Sequence, residues 1–238
     1  MLKIENIVKT YENNRGIFDV SIFVKPGDIY GLIGPKDSGK TTILRIALGL
    51  VKKDSGIVYI NNISTWKEPK KIMSIVGYLS TTPSIPPKMT GEKYIHLMAE
   101  TKNSVNILII EELIKYFEID VKKIISKMND EERRLVSLIV AIMHDPDCLL
   151  LDEPCLNISQ ENKQKIIKLL LKLAELKNKI ILISTTNIDG VSKICNKIGF
   201  LKLGFLKKEI TLNNKEDNIE LVRSIYNNVF YESDFEKK

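Results

Sequence analysis

Apolar and β-branched residues fall in dense short runs over the first sixty positions, at 2–8, 17–24, 29–33 and 57–60. Runs of that length and make-up predict strands. The Pro-Gly pair in Lys25-Pro26-Gly27-Asp28 predicts a turn between two of them. Residues 41–50 read as a helix leaving a glycine-rich loop, and 75–79 as a short strand. Pro83, Pro86 and Pro87 then exclude both helix and central strand. From 90 to 143 the pattern turns helical, with candidates at 91–100, 107–117 and 131–143. Strand-like runs return at 148–151 and 180–184, on either side of an amphipathic helix at 160–176. Residues 198–203 and 205–210 suit a hairpin turned at Gly204, and 218–230 a closing helix. The sum is an α/β chain: a core of mostly parallel sheet, an antiparallel β subdomain and an inserted helical subdomain over about residues 85–147.

Composition narrows the chemistry. At 44% apolar and 28% charged over 238 residues, the chain matches a globular protein and excludes wholesale disorder. Three cysteines without CxxC spacing exclude a disulfide framework or a cysteine zinc site. Two histidines exclude a multi-histidine metal centre. The opening residues have no apolar stretch of the secretory kind, and no apolar run approaches the ~18 residues that span a bilayer. The chain is expected to be cytoplasmic. Its net charge of +6 suits an anionic ligand, nucleic acid or a negative membrane surface, or simply a solvated Lys/Glu surface.

One motif is complete. Gly34, Pro35, Lys36, Asp37, Ser38, Gly39, Lys40 and Thr41 fit GxxxxGK[ST], between a predicted strand and a predicted helix. The four fixed positions coincide by chance in only about 1% of chains of this length at average usage. The glycines let successive N–H groups face phosphate oxygens, and the helix start adds its positive dipole end. Lys40 is placed for the β- and γ-phosphates and the Thr41 hydroxyl for Mg²⁺, with Thr42 closing the cradle. In that setting the motif predicts a P-loop NTPase core. Downstream, the apolar run 148–151 ends in Asp152 and Glu153. Asp152 falls at the carboxyl end of a sheet strand, where open α/β sheets bind ligands, and is expected in the Mg²⁺ shell. Glu153 is the candidate catalytic residue, placed to polarise an attacking water.

At these residues the chain resembles the nucleotide-binding domain of an ATP-binding cassette transporter. The resemblance runs over about residues 1–210 and is carried by the stretch 19–35, Leu48-Gly49-Leu50, Asp54-Ser55-Gly56, Val76-Gly77-Tyr78-Leu79, His144-Asp145-Pro146, Leu151-Asp152-Glu153-Pro154 and Ile183-Ser184-Thr185. It implies a nucleotide-binding domain over 1–212 and a helical tail over 213–238. It implies ATP and Mg²⁺ as ligands, a membrane permease subunit and a second nucleotide-binding domain as partners, and a place on the inner face of the cell membrane. Nucleic acid is not expected, and the guanine-reading Asn-Lys-x-Asp motif is supplied by neither 178–181 nor 213–217. Tyr11 falls where such domains stack an aromatic on adenine; a strand aromatic packed on the sheet is the other reading.

Four family motifs depart from the pattern. Thr81 stands in place of the Q-loop glutamine, Thr186 in place of the switch histidine, and Ser159 in place of the D-loop aspartate. The signature peptide, usually Leu-Ser-Gly-Gly-Gln, becomes Met128-Asn129-Asp130-Glu131-Glu132. In the family, its serine and glycine N–H groups bind the γ-phosphate held by the facing subunit. Carboxylates there repel an anion, while the same residues suit a helix capped by Asn129 with acids in its first turn. The resemblance thus implies an ATP-binding transporter subunit that drives or regulates a separate permease with slow hydrolysis. The alternative is a catalytically inactive nucleotide-binding subunit with a structural or regulatory role, such as half of a heterodimer.

Overall fold

β3 (Ile29–Ile33), β7 (Cys148–Asp152) and β8 (Ile180–Thr185) are buried along their whole length. Continuous apolar runs of this kind belong in a parallel sheet covered on both faces. In this computed structural model, which describes residues 1–12, 15–102, 105–212 and 218–231, they are the centre of a sheet ordered β10-β9-β3-β8-β7-β6. Here β6 is Val76–Leu79, β9 is Lys197–Lys202 and β10 is Phe205–Thr211. Only β10 runs antiparallel, as the second arm of a hairpin with β9. Its turn holds both Leu203 and Gly204 at positive φ, the geometry of a two-residue hairpin.

Successive residues of these strands face opposite sides. Ile181 and Ile183 of β8 join Leu149 and Leu151 in one core, with α5 (Asp130–Ile142) and α6 (Gln160–Lys177). Ile180 and Leu182 join Cys148 and Leu150 in a second core, with α1 (Lys40–Ala47). This second face is closed by an antiparallel sheet ordered β2-β1-β4-β5, comprising β1 (Leu2–Thr10), β2 (Gly16–Val24), β4 (Ser55–Ile60) and β5 (Ile63–Ser64). In β1 the buried positions are Leu2, Ile4 and then Ile7, a skip in the period of two. The register shifts there, Asn6 adopts φ 49°, and its amide donates to Asp19 Oδ1 at 2.8 Å. A bulge thus returns Ile7 to the core.

The inserted helices are α3 (Gly91–Glu100), α4 (Ile107–Phe117) and α5. α5 lies close on β6 because Gly77 has no side chain: a Cβ there would sit 2.0 Å from the carbonyl oxygen of Ala141. α2 (Pro69–Ile75), β5 and α7 (Ile188–Val191) are too short for a periodic signal, and the sequence did not predict them. α2 takes Ile75 from the expected strand, and α1 stops at Ala47 rather than 50 because Gly49 turns left-handed. Of the expected tail, α8 (Asn218–Phe230) is seen; residues 213–217 and 232–238 lie outside the described residues.

The turn between α5 and β7 buries His144, whose Nε2 donates to the Val76 carbonyl at 3.1 Å while Nδ1 has no partner. Burial, then the charge of Lys102, lowers its pKa to about 4. The unfolded imidazole takes a proton below about pH 6.5 while the folded one does not, so folding stability falls with pH from 6.5 towards 4. The expected loss is about 2–3 kcal/mol for this one group. Urea midpoints at pH 7.5 and 4.5 should converge in His144→Gln relative to the wild type; identical pH dependence in the two proteins would refute this.

Candidate nucleotide-binding site

β3 delivers the chain to a loop at residues 34–39, and α1 starts at Lys40. Gly39 takes φ 107°, and a Cβ on it would lie 2.5 Å from Ile17 Cδ1, so only glycine fits. It caps α1 without a side-chain hydrogen bond. The first N–H groups of α1 therefore have no intrahelical partner and lie at the positive end of the helix. Asp37 is left-handed at φ 63°, which short polar side chains tolerate. Lys40 is buried, and its Nζ donates to the carbonyls of Gly34 and Pro35, at 2.7 Å each. Burial lowers its pKa, and Glu153, Asp152 and Asp37 act against that. Ser38 Oγ is buried and has no partner. The Ser38 carbonyl accepts from the N–H of Gly204 at 2.9 Å, which ties the loop to the β9–β10 turn.

The acids come from the end of β7. Asp152 is 1% exposed. Its Oδ2 accepts from Thr41 Oγ1 at 2.7 Å and its Oδ1 from the Ser184 hydroxyl of β8. Glu153 turns left-handed at φ 51°. Its N–H donates to the Ser184 carbonyl at 2.9 Å, and its Oε2 accepts from Thr185 Oγ1 at 3.0 Å. Its carbonyl accepts from Arg134 Nη1 at 3.0 Å, and Nη2 of the same guanidinium donates to the Thr81 carbonyl.

Between loop and acids opens a cleft of about 480 Å³. It brings together Tyr11, Lys36, Asp37, Gly39, Lys40, Thr41, Thr42, Asp152 and Glu153 from the sequence-derived set. Gly34, Pro35 and Ser38 stand behind it: two carbonyls hold Lys40 and one buried hydroxyl faces inward. Tyr11 is 43% exposed at the mouth, with the Lys9 ammonium 5.4 Å from its ring centroid, rather than packed into the sheet. Thr81 and Thr186 line the cleft too, with Arg15 and Arg45. Hard oxygen donors from Thr41 and Asp152, next to a lysine and a free helix start, suit Mg²⁺ and a polyphosphate.

The start of α5 is closed on itself. Asn129 accepts from the Glu132 N–H at 2.8 Å, and Glu132 Oε2 accepts from the Asn129 N–H at 2.7 Å, a complete capping box. Each carboxylate of the turn has a local partner. Asp130 pairs with Arg133. Glu132 pairs with Lys123 at 2.9 Å. Glu131 Oε1 accepts from Ser159 N at 3.1 Å, Ser159 Oγ at 2.6 Å and Asn162 Nδ2 at 2.8 Å.

The sequence reading did not single out Arg134, Arg15 or Arg45, and did not give Ser184 and Thr185 their role of holding the acids. The signal for Arg134 was one charge at the head of the apolar stretch 135–143, where a surface reading is the default. The strand-end Ser184-Thr185 pair follows an apolar run just as Asp152-Glu153 does, on the neighbouring strand.

Over residues 17–156 the chain matches the family model described as ABC transporter. It is similar to the ABC transporter ATP-binding protein YtrB of Bacillus subtilis (strain 168), with 26% identity over 222 residues covering 93% of this chain and 76% of that one. It is similar to the bacitracin transport ATP-binding protein BcrA of Bacillus licheniformis, 26% identical over 216 residues, or 90% and 71% of the two chains. Among solved structures, an ATP-binding subunit of an ABC transporter shares the fold at a TM-score of 0.84 and 19% identity, covering 95% of this chain and 99% of that one. The ATP-binding cassette MJ0796, a dimer in a post-hydrolysis state bound to ADP and Pi, shares it at 0.81 and 24%, covering 90% and 100%.

Proposed function

Since this chain belongs to the ABC transporter family, we propose that it is an ATP-binding subunit that binds Mg·ATP at residues 34–42 and acts on a separate membrane permease, with slow hydrolysis of its own. The observation that carries the reading is the complete phosphate loop joined to the acid pair by the Thr41–Asp152 hydrogen bond. The free N–H groups at the start of α1 and the Lys40 ammonium receive the phosphates. Thr41 and Asp152 hold the Mg²⁺, which neutralises phosphate charge when bound. Glu153, steadied by Thr185, orients a water. Tyr11 offers its exposed ring to the adenine. Among the described residues no helix is long and apolar enough to cross a membrane.

Slow hydrolysis follows from what the chain puts in place of the family's catalytic groups. Thr186 cannot match the reach of an imidazole, and Thr81 cannot match that of a glutamine. The start of α5, which in the family presents N–H groups to the facing subunit's ATP, is here consumed by its own capping box and fringed by carboxylates. One lost contact of this type costs ~10²–10³ in rate, and losses within one catalytic unit do not simply multiply. The same self-capped turn favours a second reading, a regulatory half-site in a heterodimer, whose partner brings an intact signature peptide to this chain's phosphate loop.

Lys40→Ala should weaken ATP binding by about 10- to 150-fold, the worth of a charge-assisted contact of about 1.5–3 kcal/mol; equal affinities by calorimetry would refute the site. The purified chain should turn over ATP far below the ordinary range of ~1–10 s⁻¹. A rate within that range, abolished by Glu153→Gln, would show that Thr186 or another group does the histidine's work. A photo-cross-linker at Ser84, exposed in the proline-rich loop after β6, should capture an integral membrane protein from the source membranes. Capture of soluble proteins alone would overturn the permease assignment.

A further inference from the structure

Glu131 and Arg134 stand three residues apart on α5 and so share one side of the helix. Opposite charges at this spacing can pair with each other, yet here Arg134 is buried and turned to the acid end of β7, while the half-buried Glu131 turns to the start of α6. The Arg134 guanidinium spans two backbone carbonyls, Glu153 at the acid end of β7 and Thr81 in the loop after β6. Glu131 takes the backbone N–H and hydroxyl of Ser159 and the amide of Asn162 at the start of α6. Arg134 is 6% exposed and makes no ion pair among the described residues. A buried guanidinium is costly unless its donors are used, and its rigid fork suits two acceptors set apart.

The backbone of Glu153 explains what the fork achieves. At φ 51° the residue lies in the left-handed region, which a side chain with a Cβ adopts only under constraint. Four hydrogen bonds constrain it, one of them local: its carbonyl also accepts from the Leu156 N–H at 3.1 Å. Its N–H and its carboxylate are held by Ser184 and Thr185 of the adjacent strand, while its carbonyl is held by Arg134 from outside the sheet. Without the guanidinium, only the Leu156 N–H of the following turn holds the Glu153 carbonyl, nothing ties that turn to α5, and the carboxylate is less firmly aimed into the cleft. The same loss frees the Thr81 carbonyl, and with it the segment that forms the opposite wall.

We propose that Arg134 is a positioning residue that sets Glu153 and the Thr81 segment at a fixed distance across the cleft, with Glu131 pinning α5 in the place from which Arg134 reaches both. The helical insertion would then govern the geometry of the acid pair through one side chain. This rests on the reading of the cleft as an ATP site only in its kinetic arm.

The test compares the full-length wild type, Arg134→Met and Arg134→Lys. Amide hydrogen exchange without nucleotide should rise at least tenfold in the segments 80–85 and 153–158 of Arg134→Met, with β8 unchanged as the internal reference. If the Met variant fails to fold, Arg134→Lys decides: an ammonium keeps the charge but cannot span both carbonyls, so one of the two segments should exchange at least tenfold faster. Wild-type exchange in both segments of a folded variant overturns the proposal. In single-turnover assays with Mg·ATP, Arg134→Lys should lose at least tenfold in rate while its ATP affinity stays within threefold. A rate equal to wild type, or a loss explained wholly by affinity, also overturns it. If the wild type itself binds no ATP, the reading of the cleft falls, and the exchange comparison still decides the role of Arg134.

Discussion

The cleft depends on three parallel strands keeping register. Leu32 of β3 pairs with Ser184 of β8, and Ser184 pairs in turn with Asp152 of β7. That alignment puts the phosphate loop, the Ser184-Thr185 hydroxyls and the acid pair level at one edge of the sheet. A slip of one residue in β7 would turn Asp152 to the other face and send alternate leucines into the wrong core. Register is secured because both faces are buried: Leu149 and Leu151 fit one core, Cys148 and Leu150 the other. The apolar strands therefore fix the polar chemistry at their ends.

The sequence made the sheet and the phosphate loop legible for the same reason. Strands buried on both sides appear as unbroken apolar runs, and a loop that wraps phosphate needs residue types that few other structures need at that spacing. What stayed hidden was polar and tertiary. Arg134 looks like any helix arginine until the fold carries Thr81 and Glu153 to it. The carboxylates of 130–132 read two ways in the sequence, as an anion-repelling surface or as a capped helix start. The structure shows the capping box together with three committed carboxylates, and the link from Glu131 to Ser159 spans 28 positions that no local pattern connects. Tyr11 likewise has two readings in the sequence, and its exposure at the cleft mouth is a tertiary fact that no local pattern carries.

The phosphate loop and the start of α5 thus differ in how they are satisfied. On the phosphate-loop side, donors are left over: the first turn of α1 is uncapped and a buried hydroxyl lacks a partner. On the α5 side, every charged group of the first turn is consumed within the chain. A surface with spare donors recruits an anion, and a surface with none is inert towards it. The proposal of slow turnover rests on this asymmetry more than on any single missing residue.

Lys40 adds a thermodynamic consequence. Its ammonium is already solvated by two carbonyls of its own loop, at 2.7 Å each. An arriving phosphate must exchange with those carbonyls instead of meeting a bare cation. The free energy of anion binding at Lys40 is then a difference between two well-satisfied states of the same ammonium. The exchange lowers the intrinsic affinity of the loop for any anion by the worth of the two carbonyl contacts given up.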